Sequence, residues 1–144
     1  MSVELFDYAP PFGGEVLVSW LSVLRTPANV LVPVRRRRKS NDPLPQRIVT
    51  RIGGPADQFT DTGEYSIHDF GNNFTAVEDA SRLTLRRIMA LGPPFSPQRE
   101  VTITGGTAVV DRIQITEAPH EEFFSETIER FVMTVRVDLR FVQQ

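Results

Sequence analysis

The segment TIERFVMTVRVDLRFV, residues 127 to 142, narrows the possible folds more than any other part of the chain. Phe131, Met133, Val135, Val137, Leu139 and Phe141 recur at every second position, with Arg130, Val132, Thr134, Arg136, Asp138 and Arg140 between them. Six apolar residues in strict alternation predict a long β-strand with one face on a core, because successive side chains of a strand point to opposite sides. The interleaved charges require the other face to meet water or a polar interface. A chain that ends on such a strand must supply further strands to pair with it and helices to cover its apolar face.

Those elements can be read upstream. EVLVSWLSVLR has helical spacing up to Pro27, and a helix is expected over about 14–25. QRIVTRIGG reads as a strand stopped by Gly53-Gly54, and EYSIHDFG as a second strand, with Tyr65, Ile67 and Asp69 on one side and Ser66, His68 and Phe70 on the other. NNFTAVEDASRLTLRRIMALGPP is the clearest helix. Its inner face is Val77, Ala80, Ser81, Thr84, Leu85, Ile88 and Leu91, and its cap is either Thr75 of a Thr75-x-x-Glu78 box or one of Asn72 and Asn73. REVTITGGTAVVDRIQI predicts a hairpin turning at Gly105-Gly106, followed by a loop, EAPHEEFFSET. The expected fold is α+β: a mainly antiparallel sheet of about five strands with two helices on one face, in the order α-β-β-α-β-β-β. At 144 residues the chain suits one domain, 1–144, with an N-terminal arm over about 1–13 and a long basic loop over about 26–46 that contains Pro27, Pro33, Pro43 and Pro45.

The basic loop carries the cations Arg35, Arg36, Arg37, Arg38 and Lys39. From Arg35 to Arg51 there are seven cations against one acid, Asp42, a charge of +6, so the remainder of a chain of net charge −2 carries −8. Nucleic-acid-binding domains are usually basic overall or over a large face. Charge segregated in this way suits contact with protein surfaces, including other copies of the chain. Three uses of the run are open: a solvated loop, a DNA-facing role, or an arm reaching acidic surface on a neighbouring subunit, which fits the charge pattern best.

Little in the sequence points to catalysis. There is no cysteine, and the two histidines, His68 and His120, are far apart, so a zinc site lacks its ligands. The Gly-Gly pairs lack a phosphate-loop context, and Glu121-Glu122 belongs to a loop without an evident pocket. No nucleophile with a credible base can be named. Neither cofactor nor enzymatic activity is expected. No apolar run is long enough for a membrane span, and the N-terminus has no cleavable-leader pattern. Phe123 and Phe124, set beside acids, either fold back onto the core or anchor a subunit interface.

The order of these pieces resembles a known family. A short helix containing WL, then LPQRIVTRIGG, AVEDASRLTLRRIMAL, a hairpin with a GG turn, a proline-containing loop and a final ERFVMTVRVDLRF is similar to the tail terminator proteins of long-tailed phages, particularly those of actinobacterial hosts. The similarity runs from about residue 14 to 142, and its specificity lies in the order of pieces. The basic run stands outside it. The resemblance implies a structural protein of the virion neck, made in the host cytoplasm. It would form a hexameric ring that caps the head-proximal end of the tail tube, ends tube polymerisation and offers a docking surface to the head–tail stopper. The implied partners are further copies of the chain, the major tail tube protein and the stopper, with DNA passing through the lumen without sequence specificity. The alternatives are another neck or tail component, such as a stopper or adaptor, and a nucleic-acid-binding module using Arg35–Lys39. Contacts between subunits or rings are expected at Arg35, Arg36, Arg37, Arg38, Lys39, Glu121, Glu122, Phe123 and Phe124.

Overall fold

The computed structural model describes residues 13–55, 60–103 and 106–143; the arm before Gly13 and Gly105 of the expected turn lie outside the described residues. The chain is α+β. Helix α1 (Gly13–Leu21) is followed by β1 (Val34–Arg35), β2 (Gln46–Gly53) and β3 (Thr60–Gly71), then helix α2 (Phe74–Met89), β4 (Arg99–Ile103), β5 (Gly106–Glu121) and β6 (Glu129–Gln143). The strands form one sheet in the order β1-β2-β3-β6-β5-β4.

The last strand behaves as its alternation requires. Phe131, Met133, Val135, Val137 and Leu139 are buried, and Phe141 is half-buried. β6 lies at the centre of the sheet, antiparallel to β3 on one side and to β5 on the other. Val49, Tyr65, Ile67, Val110 and Ile113 share its core face with Val16, Leu17 and Leu21 of α1 and Ile88 of α2. The sheet curls around the helices, so that α1 touches both β2 and the far edge strand β4. Trp20 Nε1 donates to Arg87 O at 2.6 Å, and Arg87 Nε donates back to Trp20 O at 2.8 Å, with the guanidinium 3.5 Å above the indole ring. This reciprocal pair ties the two helices together across the core.

Three expectations need correcting. The sheet has six strands and is mixed, because Val34 and Arg35 within the basic segment pair in parallel with Arg47 and Ile48. A two-residue strand has too little pattern to be read from sequence; its partner defines it. Second, α1 ends at Leu21, four residues before the expected limit. Thr26–Val30 forms a tight turn, with Thr26 N donating to Val30 O at 2.8 Å, Asn29 at φ 65° and Arg25 bridged to Leu31, so the chain must leave the helix earlier. Third, EAPHE is not loop: β5 continues to Glu121 against β6, through register shifts between Val110 and Arg112, Ile115 and Glu117, and Glu117 and His120. Each shift inserts a residue and breaks the alternation that would have shown a strand.

Local chemistry accounts for the ends that agree with expectation. Asn73 caps α2, its side-chain oxygen accepting from Ala76 N at 3.0 Å, so the cap is asparagine rather than Thr75. β2 stops at Gly54, where φ is +94° and a Cβ would lie 2.0 Å from the Thr62 carbonyl oxygen, so only glycine fits.

Candidate assembly surface

On the sheet face opposite the helices, cross-strand register sets Ile48 of β2, His68 of β3, Val132 of β6 and His120 of β5 in one row. Gln46, Phe70 and Arg130 form the next row. Ile48, Phe70 and Val132 are nevertheless buried, which the alternation of β6 did not foretell for Val132. Loops from two distant parts of the chain come onto this end of the face and meet at Phe70.

The first is the basic segment. Arg38 places its guanidinium carbon 5.2 Å from the centre of the Phe70 ring, and its Nη1 donates to Gln46 Oε1. Asp42, the one acid in the basic window, holds this turn in shape. Its Oδ2 accepts from Lys39 N at 2.8 Å and from Gln46 Nε2 at 2.9 Å. The Gln46 hydrogen bond, then that of the Lys39 backbone, hold the Asp42 carboxyl below its ordinary range.

The second is the loop after β5. Phe124 meets Phe70 edge-on, with ring centroids 5.0 Å apart, and Arg130 lies 5.3 Å from the centre of the Phe124 ring. Arg130 Nη2 also donates to Phe123 O at 3.1 Å and stands 3.7 Å from Glu122 Oε1. Ser125 Oγ accepts from Ile128 N at 3.0 Å, turning the loop back into β6. The two phenylalanines are therefore divided. Phe124, 43% exposed, folds back onto the sheet, whereas Phe123 is 77% exposed. Glu121 and Glu122 are exposed beside it. His120 finds an acceptor for each ring nitrogen, Ala118 O at 2.9 Å and Glu122 Oε2 at 3.0 Å. The Ala118 carbonyl, and then Glu122 and Glu117, raise the His120 pKa.

The structure thus brings Arg38 together with Phe124, but not the whole basic run. Arg35 and Arg36 line a separate open cleft of about 710 Å³, with Glu15, Val18 and Ser19 of α1 and Thr102 and Ile103 of β4. Arg37 and Lys39 are exposed. The five cations do not form one patch, and the segment is tied to the fold at Asp42 and Phe70 rather than being a free arm.

Two buried ionic groups escaped the sequence reading. Arg47 Nε donates to Asp69 Oδ1 at 2.7 Å, with side chains 1% and 4% exposed, and Thr84 of α2 donates to the other oxygen of Asp69 at 2.9 Å. Burial pushes the Asp69 carboxyl up from its ordinary value, against the opposing pull of Arg47 and Thr84. At the other end of β3, Asp61 accepts from Arg51 at 2.7 Å, from the Tyr65 hydroxyl at 3.1 Å and from Gly13 N at 3.0 Å, which places a carboxylate at the start of α1. Burial raises the pKa of the Tyr65 hydroxyl. The signal was present: in QRIVTRI, Arg47 and Arg51 share the face of Val49, and Asp69 shares that of Ile67. A cation and an anion on the core faces of adjacent strands predict a buried pair.

Ser66 Oγ and His68 Nε2 are 2.7 Å apart, the separation of a nucleophile and its base. Ser66 is 7% exposed, neither residue lines the cleft beside α1 or the groove beside α2, and burial holds His68 in its neutral form by lowering its pKa. The pair is a cross-face hydrogen bond with no room for a substrate. Among the described residues no group of three or more His, Cys, Asp or Glu is placed to hold a metal ion, and no helix is long and apolar enough to cross a membrane. In comparisons with known proteins, no family model and no curated sequence matches the chain.

Proposed function

We propose that this chain is a structural subunit of a phage tail that assembles with copies of itself into a ring, in the manner of a tail terminator. The observation that carries the assembly reading is Phe123. A local turn and the Arg130 hydrogen bond hold its backbone so that the ring stands 77% exposed between Glu122 and Phe124. In a monomer an exposed aromatic ring contributes nothing to the core; at an interface such residues anchor binding. The charge pattern adds direction. Arg35 and Arg36 lie beside α1 and β4, while Glu121 and Glu122 lie at the end of β5, so the chain presents two unlike surfaces. Unlike, complementary surfaces are what a head-to-tail ring requires. The assignment to the head-proximal end of a tail rests on the resemblance in element order and in the final strand.

The test is particle morphology and mass. Native mass spectrometry and electron microscopy of the protein mixed with its tail tube protein should show a closed ring on the tube end. Phage lacking the protein should carry overlong or headless tails. A protein that stays monomeric with tube protein, yet binds duplex DNA at physiological salt with a steep salt dependence, would instead be a nucleic-acid module.

A further inference from the structure

Between the N-terminus of α2 and the turn after α1 lies a groove of about 500 Å³, within the usual size range of about 300–1,000 Å³ for ligand pockets. Its walls are mainly apolar, with Val32, Pro45, Val77 and Leu83 among them. Val30 and Leu31, beside Val32, and Phe74, beside Asn73, are exposed apolar residues next to this lining, so the apolar surface continues past the rim. Arg47 also lines the groove. It spends Nε on Asp69 and Nη2 on Ala80 O at 3.4 Å, and its buried Nη1 has no partner. An unpaired buried donor is costly. Arg47 is already charge-paired with Asp69, so the acceptor it lacks is a neutral carbonyl rather than another carboxylate. The groove therefore suits a peptide segment with apolar side chains that brings main-chain carbonyls to its floor.

We infer that the occupant is the segment Phe6–Phe12 of a second copy of this chain. FDYAPPF offers three aromatic rings and one alanine over seven residues. Its own chain cannot deliver it. Gly13 is held at Asp61, whereas the groove lies at Phe70 and Gly71, and β3 covers about 30 Å between Asp61 and Phe70 at roughly 3.3 Å per residue. The seven residue steps from Gly13 back to Phe6 reach at most about 25 Å when fully extended. A neighbour in a ring meets no such limit. The donor position and the groove lie at different ends of the molecule, so the exchange is head-to-tail, and repeated around an axis it closes a ring. The inference rests on the ring reading for the presence of neighbouring copies.

The chain has no cysteine, so engineered pairs report without background. Tyr8→Cys protein would be mixed with Ala76→Cys protein, whose thiol stands exposed on the groove wall, and oxidised with copper–phenanthroline. Arg112→Cys, exposed on the opposite sheet face, serves as the control partner. The expected result is a disulfide-linked dimer forming at least tenfold faster at residue 76 than at residue 112. Equal rates at the two positions overturn the inference, as does a doubly substituted chain, Tyr8→Cys with Ala76→Cys, that loses its thiols yet stays a monomer. Rings seen by native mass spectrometry without the cross-link sink the arm exchange and leave the ring reading standing; absence of both sinks the two together. Thermal melts of each variant within a few degrees of the parent establish that the fold is intact.

Discussion

Asp69→Ala is the sharpest test of how the core is held. The substitution removes the only charged partner of Arg47, leaving a guanidinium 1% exposed inside the sheet–helix interface. Removing one member of a buried ion pair costs about 3–5 kcal/mol, because the remaining charge is neither solvated nor paired. Thr84 softens the loss only slightly: its hydroxyl keeps a hydrogen bond to Ala80 O at 3.0 Å. A domain of this kind is stable by about 5–15 kcal/mol in all, so the variant would lose a large fraction of its stability. With a urea dependence of about 2 kcal/mol per molar, the unfolding midpoint should fall by roughly 2 M. The double variant Arg47→Met with Asp69→Leu removes both charges and keeps apolar volume, and should recover most or all of the loss. The measurement is urea unfolding followed by circular dichroism for the parent, the single and the double variant. If the single variant unfolds at the parent's midpoint, or the double is as weak as the single, the penalty does not come from an unpaired buried charge and the reasoning fails.

Further outcomes follow from other sites. Gly13→Ala should destabilise by about 1–3 kcal/mol in thermal or urea unfolding, since its Cβ would stand 2.0 Å from the Tyr65 hydroxyl and 2.7 Å from Asp61 Oδ2; an unchanged melt would mean that α1 does not start against Asp61. The two histidines should titrate on opposite sides of 6.5 in an NMR titration, His120 above and His68 below. The raised His120 value stabilises the fold fully below about 6.5 and fades as pH rises through it, whereas the lowered His68 value leaves stability intact above about 6.5 and erodes it as pH falls. Two midpoints on the same side would contradict the environments described. Phe123→Ser should leave the melt unchanged and weaken self-association, while Phe124→Ser should lower the melt as well, having lost the Phe70 contact; sedimentation and thermal melts distinguish the two. Charge reversal at Arg36 and Arg37 should weaken ring or tube assembly more than it changes the fold, and assembly that proceeds normally would reduce both to solvated cations.

What could be read in the sequence was what repeats within one element. β6 is visible because one period runs through it unbroken, and α2 because a polar cap, a helical stripe and Gly92-Pro93 agree on its limits. What could not be read depends on a partner elsewhere in the chain. β1 exists because β2 passes beside it. Arg38 leaves the run of cations because Phe70 lies within its reach, and Phe124 parts from Phe123 for the same reason. The assembly site was located by composition to the correct loop, but sequence could not say which phenylalanine stays outside. The ion pairs at Arg47 and Arg51 were legible in part, since alternation placed them on the core face, where only an opposite charge from the next strand makes them tolerable.

The register shifts of β5 have a mechanical meaning. Its sixteen residues, Gly106 to Glu121, lie against thirteen of β6, Phe131 to Gln143, three more than a straight ladder would use and one for each shift. Bonded side by side, the two strands differ in contour by about 10 Å at roughly 3.3 Å per residue, and like a bimetallic strip the pair must bend to absorb the mismatch. The curl that lets α1 touch both β2 and β4 would then be stored as surplus length in one strand. Deleting one residue at each shift should relax the sheet toward flatness and open the core around α1, with no core side chain altered.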